Sequence, residues 1–285
     1  MIKDRAIGAL VGLAIGDSLG MPIEFSIRDT VEPITGMRAG GPFNLNIGEW
    51  TDDTSMALCL AETIIETGTI DKTNLMDKFK KWFEDGYNSH TNTCFDIGSA
   101  TRNAIMGYRT HGNPVAGGTE QRSSGNGSIM RLSPVPIRWH NNIDLAKKMA
   151  IEQSITTHGS QECTECSEQM SEVIVNFINT GDINTLPNID YMKNISRHNI
   201  SSSGYVIDTW LAARWSIAKT TSFKDAVLLA VNLGDDSDTV GAVTGQLAGA
   251  LYGYSSIPEE WIDVLVWHNK IYDLAEKLYN GGNNE

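Results

Sequence analysis

Residues 234–253 read GDDSDTVGAVTGQLAGALYG. Three aspartates, Asp235, Asp236 and Asp238, crowd its start, and no charge follows them up to Gly253. Gly241, Gly245 and Gly249 recur one helical turn apart, with Gly253 just beyond. A glycine inside a helix costs about 1 kcal/mol against alanine. A stripe of them is tolerable where another backbone approaches closely. Residues 239–252 are therefore expected to form a central helix packed tightly against a neighbour. The uncharged run 239–258 holds too many glycines and hydroxyls for a membrane span.

The same stripe opens the chain, as Gly8, Gly12, Gly16 and Gly20 around an expected helix at 4–15. The apolar stretch 6–16 has signal-peptide length. Asp4 sits in the would-be basic region and no cleavage pattern follows, so a retained helix is expected. Helical periodicity also marks 54–66, 74–84, 97–108, 145–154, 160–179, 206–218, 222–233 and 258–279. Loops rich in Gly, Pro, Asn or Ser fall at 36–48, 111–126, 181–190 and 194–204. Alternating strands, linkers and solenoid-length repeats are not found. The expectation is an all-α fold with one domain over 1–279 and a disordered tail at 280–285.

The 285 residues carry 35 acidic against 22 basic side chains, a net charge of −13, with 41% hydrophobic residues. That is enough apolar surface for a substantial core. The acidic surplus argues against a nucleic-acid backbone or an anionic membrane surface as partner. Cysteines are few, and reduced thiols in a cytoplasmic protein are expected. Cys163 and Cys166 form a C-x-x-C inside the 160–179 helix. No second pair completes a zinc site, so packing is the expected role.

Thr51-Asp52-Asp53-Thr54-Ser55 repeats the grammar of 235–239: carboxylates and hydroxyls just before an apolar helix. One such residue suffices as a cap. Several aspartates in one turn repel each other, and a hard divalent cation, Mg²⁺ or Mn²⁺, resolves that repulsion with oxygen ligands. Asp236, Asp238 and Thr239 can converge on one ion. An EF-hand fails, because counting from Asp236 puts Val240 and Leu247 at ligand positions. An isoprenoid-synthase-type site fails at Met56, where another carboxylate is needed. Caps in solvated loops remain the alternative. Ser124-Gly125-Asn126-Gly127-Ser128 could cradle a phosphate or could simply turn the chain.

Taken in order, seven segments resemble the ADP-ribosylglycohydrolase family, including its dinitrogenase reductase-activating and ADP-ribosylarginine branches. They are Gly16-Asp17-Ser18-Leu19-Gly20 with Pro22, Glu24 and Phe25; Gly48-Glu49-Trp50-Thr51-Asp52-Asp53-Thr54; Phe95-Asp96-Ile97-Gly98; Gly125-Asn126-Gly127-Ser128 with Met130-Arg131; Thr157-His158; Ser203-Gly204-Tyr205-Val206; and Asn232 through Thr239. The resemblance spans nearly the whole chain. It implies a compact single-domain orthogonal helix bundle with a central dinuclear metal cleft.

Carried over residue by residue, the resemblance makes Thr51, Asp52, Asp53, Asp236, Asp238 and Thr239 ligands of two Mg²⁺ or Mn²⁺ ions. Asp235 falls outside that set. Glu24 and Asp96 become the catalytic carboxylates. Gly98, Gly125, Asn126, Gly127, Ser128, His158, Gly204 and Tyr205 become substrate-binding residues. The implied activity is hydrolysis of the N-glycosidic bond between ADP-ribose and a protein arginine, acting on an ADP-ribosylated protein. Alternatives are other ADP-ribosyl conjugates, such as ADP-ribosyl-serine or O-acetyl-ADP-ribose, or an immunity protein against an ADP-ribosylating toxin. Simpler readings stand beside these roles: Asp17 as a helix end, His158 as a core histidine, Tyr205 as helix-start packing, and Trp50 and Trp210 as core.

Overall fold

In the computed structural model, which describes residues 1–282, α-helices are joined by loops and short 3-10 turns. In chain order they are α1 (Ile2–Gly20), α2 (Asp52–Thr67), α3 (Lys72–Asp85), α4 (Ser99–His111), α5 (Gly127–Met130), α6 (Pro134–Arg138) and α7 (Ile143–Ser154). Then follow α8 (Gln161–Thr180), α9 (Ile189–Asn194), α10 (Val206–Lys219), α11 (Phe223–Val231), α12 (Ser237–Tyr252), α13 (Glu259–Ile262) and α14 (His268–Gly282). Among the described residues, extended pairing is limited to three isolated bridges.

The two glycine stripes face each other. A Cβ at Gly8, Gly12 or Gly16 would collide with the carbonyl oxygen of Gly249, Gly245 or Gly241 respectively, and the converse holds for each partner. A Cβ at Gly20 would strike the Ser237 carbonyl. Hence α1 and α12 run antiparallel with their backbones in contact. Every residue from Ala6 to Gly20 and from Ser237 to Leu251 is buried. A helix enclosed on all sides needs no polar face. The segment Ile2–Ile23 is long and apolar enough to cross a membrane, yet 94% of its apolar 18-residue window lies inside the fold.

Around this pair the remaining helices close one main apolar core, which includes Trp50, Trp210, Cys163 and Cys166. Local chemistry sets many helix ends. Asp71 accepts from Thr73 N and Asn74 N at the start of α3, and Ser160 caps α8 through Cys163 N. Gly68 and Gly181 end α2 and α8 in the left-handed conformation. All four cysteines are free thiols, and Cys163 donates to Gly125 O at 3.3 Å.

Three expectations change. Residues 258–279, expected as one helix, divide into α13 and α14 at Trp267, whose φ is 62°. The link is held from outside, since Val266 N donates to Gly48 O and Trp50 Nε1 donates to Val266 O. The supposed tail is helical as far as Gly282, whose carbonyl accepts from Asn141 Nδ2 while Tyr279 stacks on His140. Residues 283–285 of that tail lie outside the described residues. Finally, α5, α6 and α9 sit in segments with too few turns to reveal a period.

Candidate active site

The antiparallel pair delivers the C-terminus of α1 to the N-terminus of α12, where Ser237 Oγ donates to Gly20 O at 2.8 Å. The N-terminus of α2 joins them through Asp17. Asp17 does not end α1, which runs on to Gly20. Its Oδ1 accepts from Thr51 N at 2.8 Å and Thr51 Oγ1 at 3.0 Å. Its Oδ2 accepts from Thr54 N at 3.0 Å and Thr54 Oγ1 at 2.6 Å. The carboxylate of α1 thus caps α2, and Asp52 and Asp53 are spared that task. Thr51, the residue just before α2, supplies no side-chain cap bond of its own.

Carboxylate oxygens of Asp17, Asp53 and Asp238 lie within 4.8 Å of one another, and so do those of Glu24, Asp96 and Asp238. Asp238 belongs to both groups. Thr51 Oγ1 lies 3.2 Å from Asp53 Oδ2 and 3.2 Å from Asp238 Oδ2, and Thr239 Oγ1 lies 3.5 Å from Asp53 Oδ2. Burial pushes these acids toward their protonated forms, and mutual repulsion adds to it. Asp17 rises to about 6 and Asp96 to about 7, burial being the main cause in both. Glu24 rises to about 10 through burial and then through Asp96 and Asp236. Asp52, Asp53 and Asp238 are also held well above the usual carboxylate range, chiefly by burial.

The loops that carry the acids are conformationally constrained. Phe25, Asp96 and Asp235 all have positive φ, at 60°, 58° and 58°. Non-glycine residues hold such angles only where their surroundings impose them. Here Phe25 N donates to Asp235 O at 2.7 Å and Asp235 N donates to Ser26 O at 2.9 Å. Arg28 then ties three backbones together, donating to Leu233 O at 2.8 Å, Arg197 O at 3.0 Å and Ile200 O at 2.6 Å. Asp236 accepts from Asn126 Nδ2 at 2.7 Å, and an added Cβ at Gly204 would sit 3.1 Å from its Oδ2.

A cavity of about 340 Å³ opens over this floor. Glu24, Asp52, Asp96, Asp236, Asp238 and Thr239 line it. Gly98, Gly125, Asn126, Gly127, His158 and Gly204 line it too. Thr51 and Asp53 are fully buried beneath it. Ser128 and Tyr205 do not line it. Ser128 Oγ turns into the core and accepts from Ser167 at 3.2 Å, while the Tyr205 hydroxyl turns toward Glu162. The Tyr205 backbone still shapes the wall, since 124–126 and 204–206 pair through Asn126 N to Gly204 O and Val206 N to Ser124 O. His158 is both buried and at the cavity. Its ring lies against Gly127, where a Cβ would fall 2.6 Å from Cε1, and burial pushes its pKa down to about 3.

Asp17 and Arg28 are the structural members that local sequence features leave unassigned. Asp17 belongs to a recognisable segment, but its partners are remote in sequence; no local signal marks Arg28.

The donor set fits a hard divalent cation. Asp53 Oδ1 and Glu24 Oε2 are buried without a hydrogen-bond partner. Among the described residues no Lys or Arg forms an ion pair with any of these seven carboxylates. Buried charge without a counterion costs several kcal/mol per group. Every available donor is an oxygen, the ligand type that Mg²⁺ and Mn²⁺ take.

A family model described as ADP-ribosylglycohydrolase matches residues 1–285. Over 97% of its length the chain is 45% identical to a protein of Serratia proteamaculans (strain 568) named ADP-ribosylarginine hydrolase Tri1, and the match spans 79% of that protein. It is 29% identical over 93% of its length to the ADP-ribosyl-[dinitrogen reductase] glycohydrolase of Rhodospirillum rubrum, spanning 91% of it. A solved structure described as an ADP-ribosylglycohydrolase-related protein complex superposes with a TM-score of 0.86 at 34% identity, over 99% of both chains.

Proposed function

The chain belongs to the ADP-ribosylglycohydrolase family, and on that premise we propose that it removes mono-ADP-ribose from modified arginine of a protein. The enzyme class follows from the family and from the 45% identical relative. The arginine linkage and the metal dependence are our reading. The observation that carries it is the pair of carboxylate groups sharing Asp238 under the cavity, with no Lys or Arg paired to them among the described residues. Two groups sharing one aspartate suit two ions, Mg²⁺ or Mn²⁺. Asp53 and Asp238 of these groups would hold them together with Asp52 and Asp236, which line the same cavity, helped by the hydroxyls of Thr51 and Thr239.

When bound, such ions supply a Lewis acid beside the ribose and lower the pKa of nearby water. The rest of the chemistry belongs to the chain. Cleavage of a glycosidic bond passes through an oxocarbenium-like transition state, and carboxylates around the sugar favour that positive charge. Glu24 and Asp96 face each other across the floor and can pass a proton between an attacking water and the leaving group. The guanidine leaves as a protonated species because it is strongly basic. Asn126 fixes the orientation of Asp236 through its 2.7 Å bond. Gly125 and Gly127 let the diphosphate approach the backbone, with neutral His158 packed behind them. The four free thiols support a reducing, cytoplasmic setting.

The test is release of free ADP-ribose from defined arginine-linked and serine-linked conjugates, each with Mg²⁺, with Mn²⁺ and with chelator. Turnover of the arginine conjugate only when a dication is present is expected. Preference for the serine conjugate would move the reading to another linkage, and binding without turnover would favour a toxin-blocking role.

A further inference from the structure

Given that function, we propose that His90 is a positioning residue that sets the two halves of the active site against each other. It does not line the cavity, and its side chain is buried. Nε2 lies 2.8 Å from Trp50 O, so this nitrogen carries the proton and donates it to the carbonyl. Nδ1 faces Glu49 Oε1 at 3.7 Å. Glu49 is itself held by Asn46 N at 2.7 Å and Asn46 Nδ2 at 3.1 Å.

Trp50 O belongs to the same peptide unit as Thr51 N. One end of that planar unit accepts from His90 and the other donates to Asp17 at 2.8 Å. The peptide is therefore clamped from both sides. Its orientation decides where the Thr51 hydroxyl points, between Asp17, Asp53 and Asp238. It also decides where α2 begins.

The same ring braces the other half. It packs edge-to-face with Phe95, with centroids 6.0 Å apart and planes at 77°, and with Trp50 at 4.8 Å and 82°. Phe43 closes on Phe95 at 5.3 Å. Phe95 immediately precedes Asp96, the residue held at φ 58°. His90 thus touches the neighbour of Thr51 and the neighbour of Asp96 at once. Two distinct properties are used. The N–H fixes the Thr51–Asp53 turn, and the ring fixes the Asp96 loop.

His90→Phe keeps a ring and removes the donor, whereas His90→Gln keeps a donor at the Nε2 position and removes the ring. Each variant is checked by far-UV circular dichroism and Tm. Mn²⁺ affinity is then titrated without substrate, and kcat and KM are measured on an ADP-ribosylarginine conjugate. Removing an outer-shell partner typically costs about ten- to a hundredfold in metal affinity or activity. His90→Phe is expected to lose about that much Mn²⁺ affinity, whereas His90→Gln stays within about threefold on Mn²⁺ and loses kcat with KM little changed. Wild-type Mn²⁺ affinity in folded His90→Phe overturns the proposal. So do equal losses in both variants that merely follow Tm. Failure of the wild type itself to bind Mn²⁺ or release ADP-ribose would instead contradict the function proposed above, and is read before either variant.

Discussion

Asp17 in α1 accepts the backbone N–H of Thr51 at 2.8 Å, so a carboxylate in one helix caps the start of another. The bond joins residues 34 apart in sequence and lies directly beneath the cavity floor. It converts helix packing into active-site geometry.

Replacing that carboxylate should therefore cost stability and metal binding together. Asp17→Ala deletes an acceptor of four hydrogen bonds, leaving the backbone donors of Thr51, just before α2, and of Thr54, in its first turn, unsatisfied. A loss of roughly 2–4 kcal/mol is expected by urea denaturation. Mn²⁺ titration should show weakened binding in the folded protein. Unchanged stability would mean that Asp17 is not the cap.

The glycine seam makes a sharper packing prediction. Gly12→Ala or Gly245→Ala places a methyl against an opposing backbone carbonyl, which cannot rotate away. Each should destabilise the fold by about 3 kcal/mol, the upper end of the usual cost of overpacking. Gly107, inside α4 with nothing within reach of a Cβ, is the control. Gly107→Ala should be neutral or stabilising by up to about 1 kcal/mol. Similar Tm values for Gly12→Ala and Gly107→Ala would contradict the seam.

Much of this seam was legible in sequence, because a stripe of glycines is costly without a close partner. Only the pairing of one stripe with the other needed coordinates. The carboxylate crowding at Asp52–Asp53 and Asp236–Asp238 was equally local and equally legible. Asp17 was not, since its partners lie on another helix. Arg28 binds carbonyls of Arg197, Ile200 and Leu233, separations that no local pattern encodes. The break at Trp267 escaped for the same reason, being held by Gly48 and Trp50. Ser128 and Tyr205 illustrate the reverse case, where a recognisable segment lines the site with its backbone while the named side chain points elsewhere.

Stability should depend on pH and on dications in a linked way. Asp17 and Asp96 are raised to about 6 and about 7, so the folded state holds protons that the unfolded chain has already released. Without a dication, stability should fall as pH rises from about 4 to about 7. A bound dication favours the ionised forms, so its stabilising effect should grow over the same interval. Thermal melts at pH 5 and pH 8, with chelator and with Mn²⁺, check this. A dication effect larger at pH 5 would refute it.

Arg28 should behave as an anchor for the Asp235–Asp236 turn. Arg28→Ala releases three carbonyls and frees the backbone around Ser26 and Asp235. Hydrogen bonds from charged donors are worth roughly 1.5–3 kcal/mol each, with incomplete additivity, so a loss of about 3 kcal/mol is expected. Activity should fall in kcat more than in KM. An active variant with unaltered Tm would remove the anchor role.

Metal-dependent release of ADP-ribose is measured most directly on chelator-stripped protein, comparing the native chain with Asp238→Ala as Mn²⁺ is added back. Asp238 is common to both carboxylate groups. Turnover of an arginine-linked conjugate should return with Mn²⁺ in the native chain and stay at least about a hundredfold lower in Asp238→Ala. Full turnover in chelator, or an Asp238→Ala variant as active as the native chain at limiting Mn²⁺, would contradict a dication site built on these carboxylates.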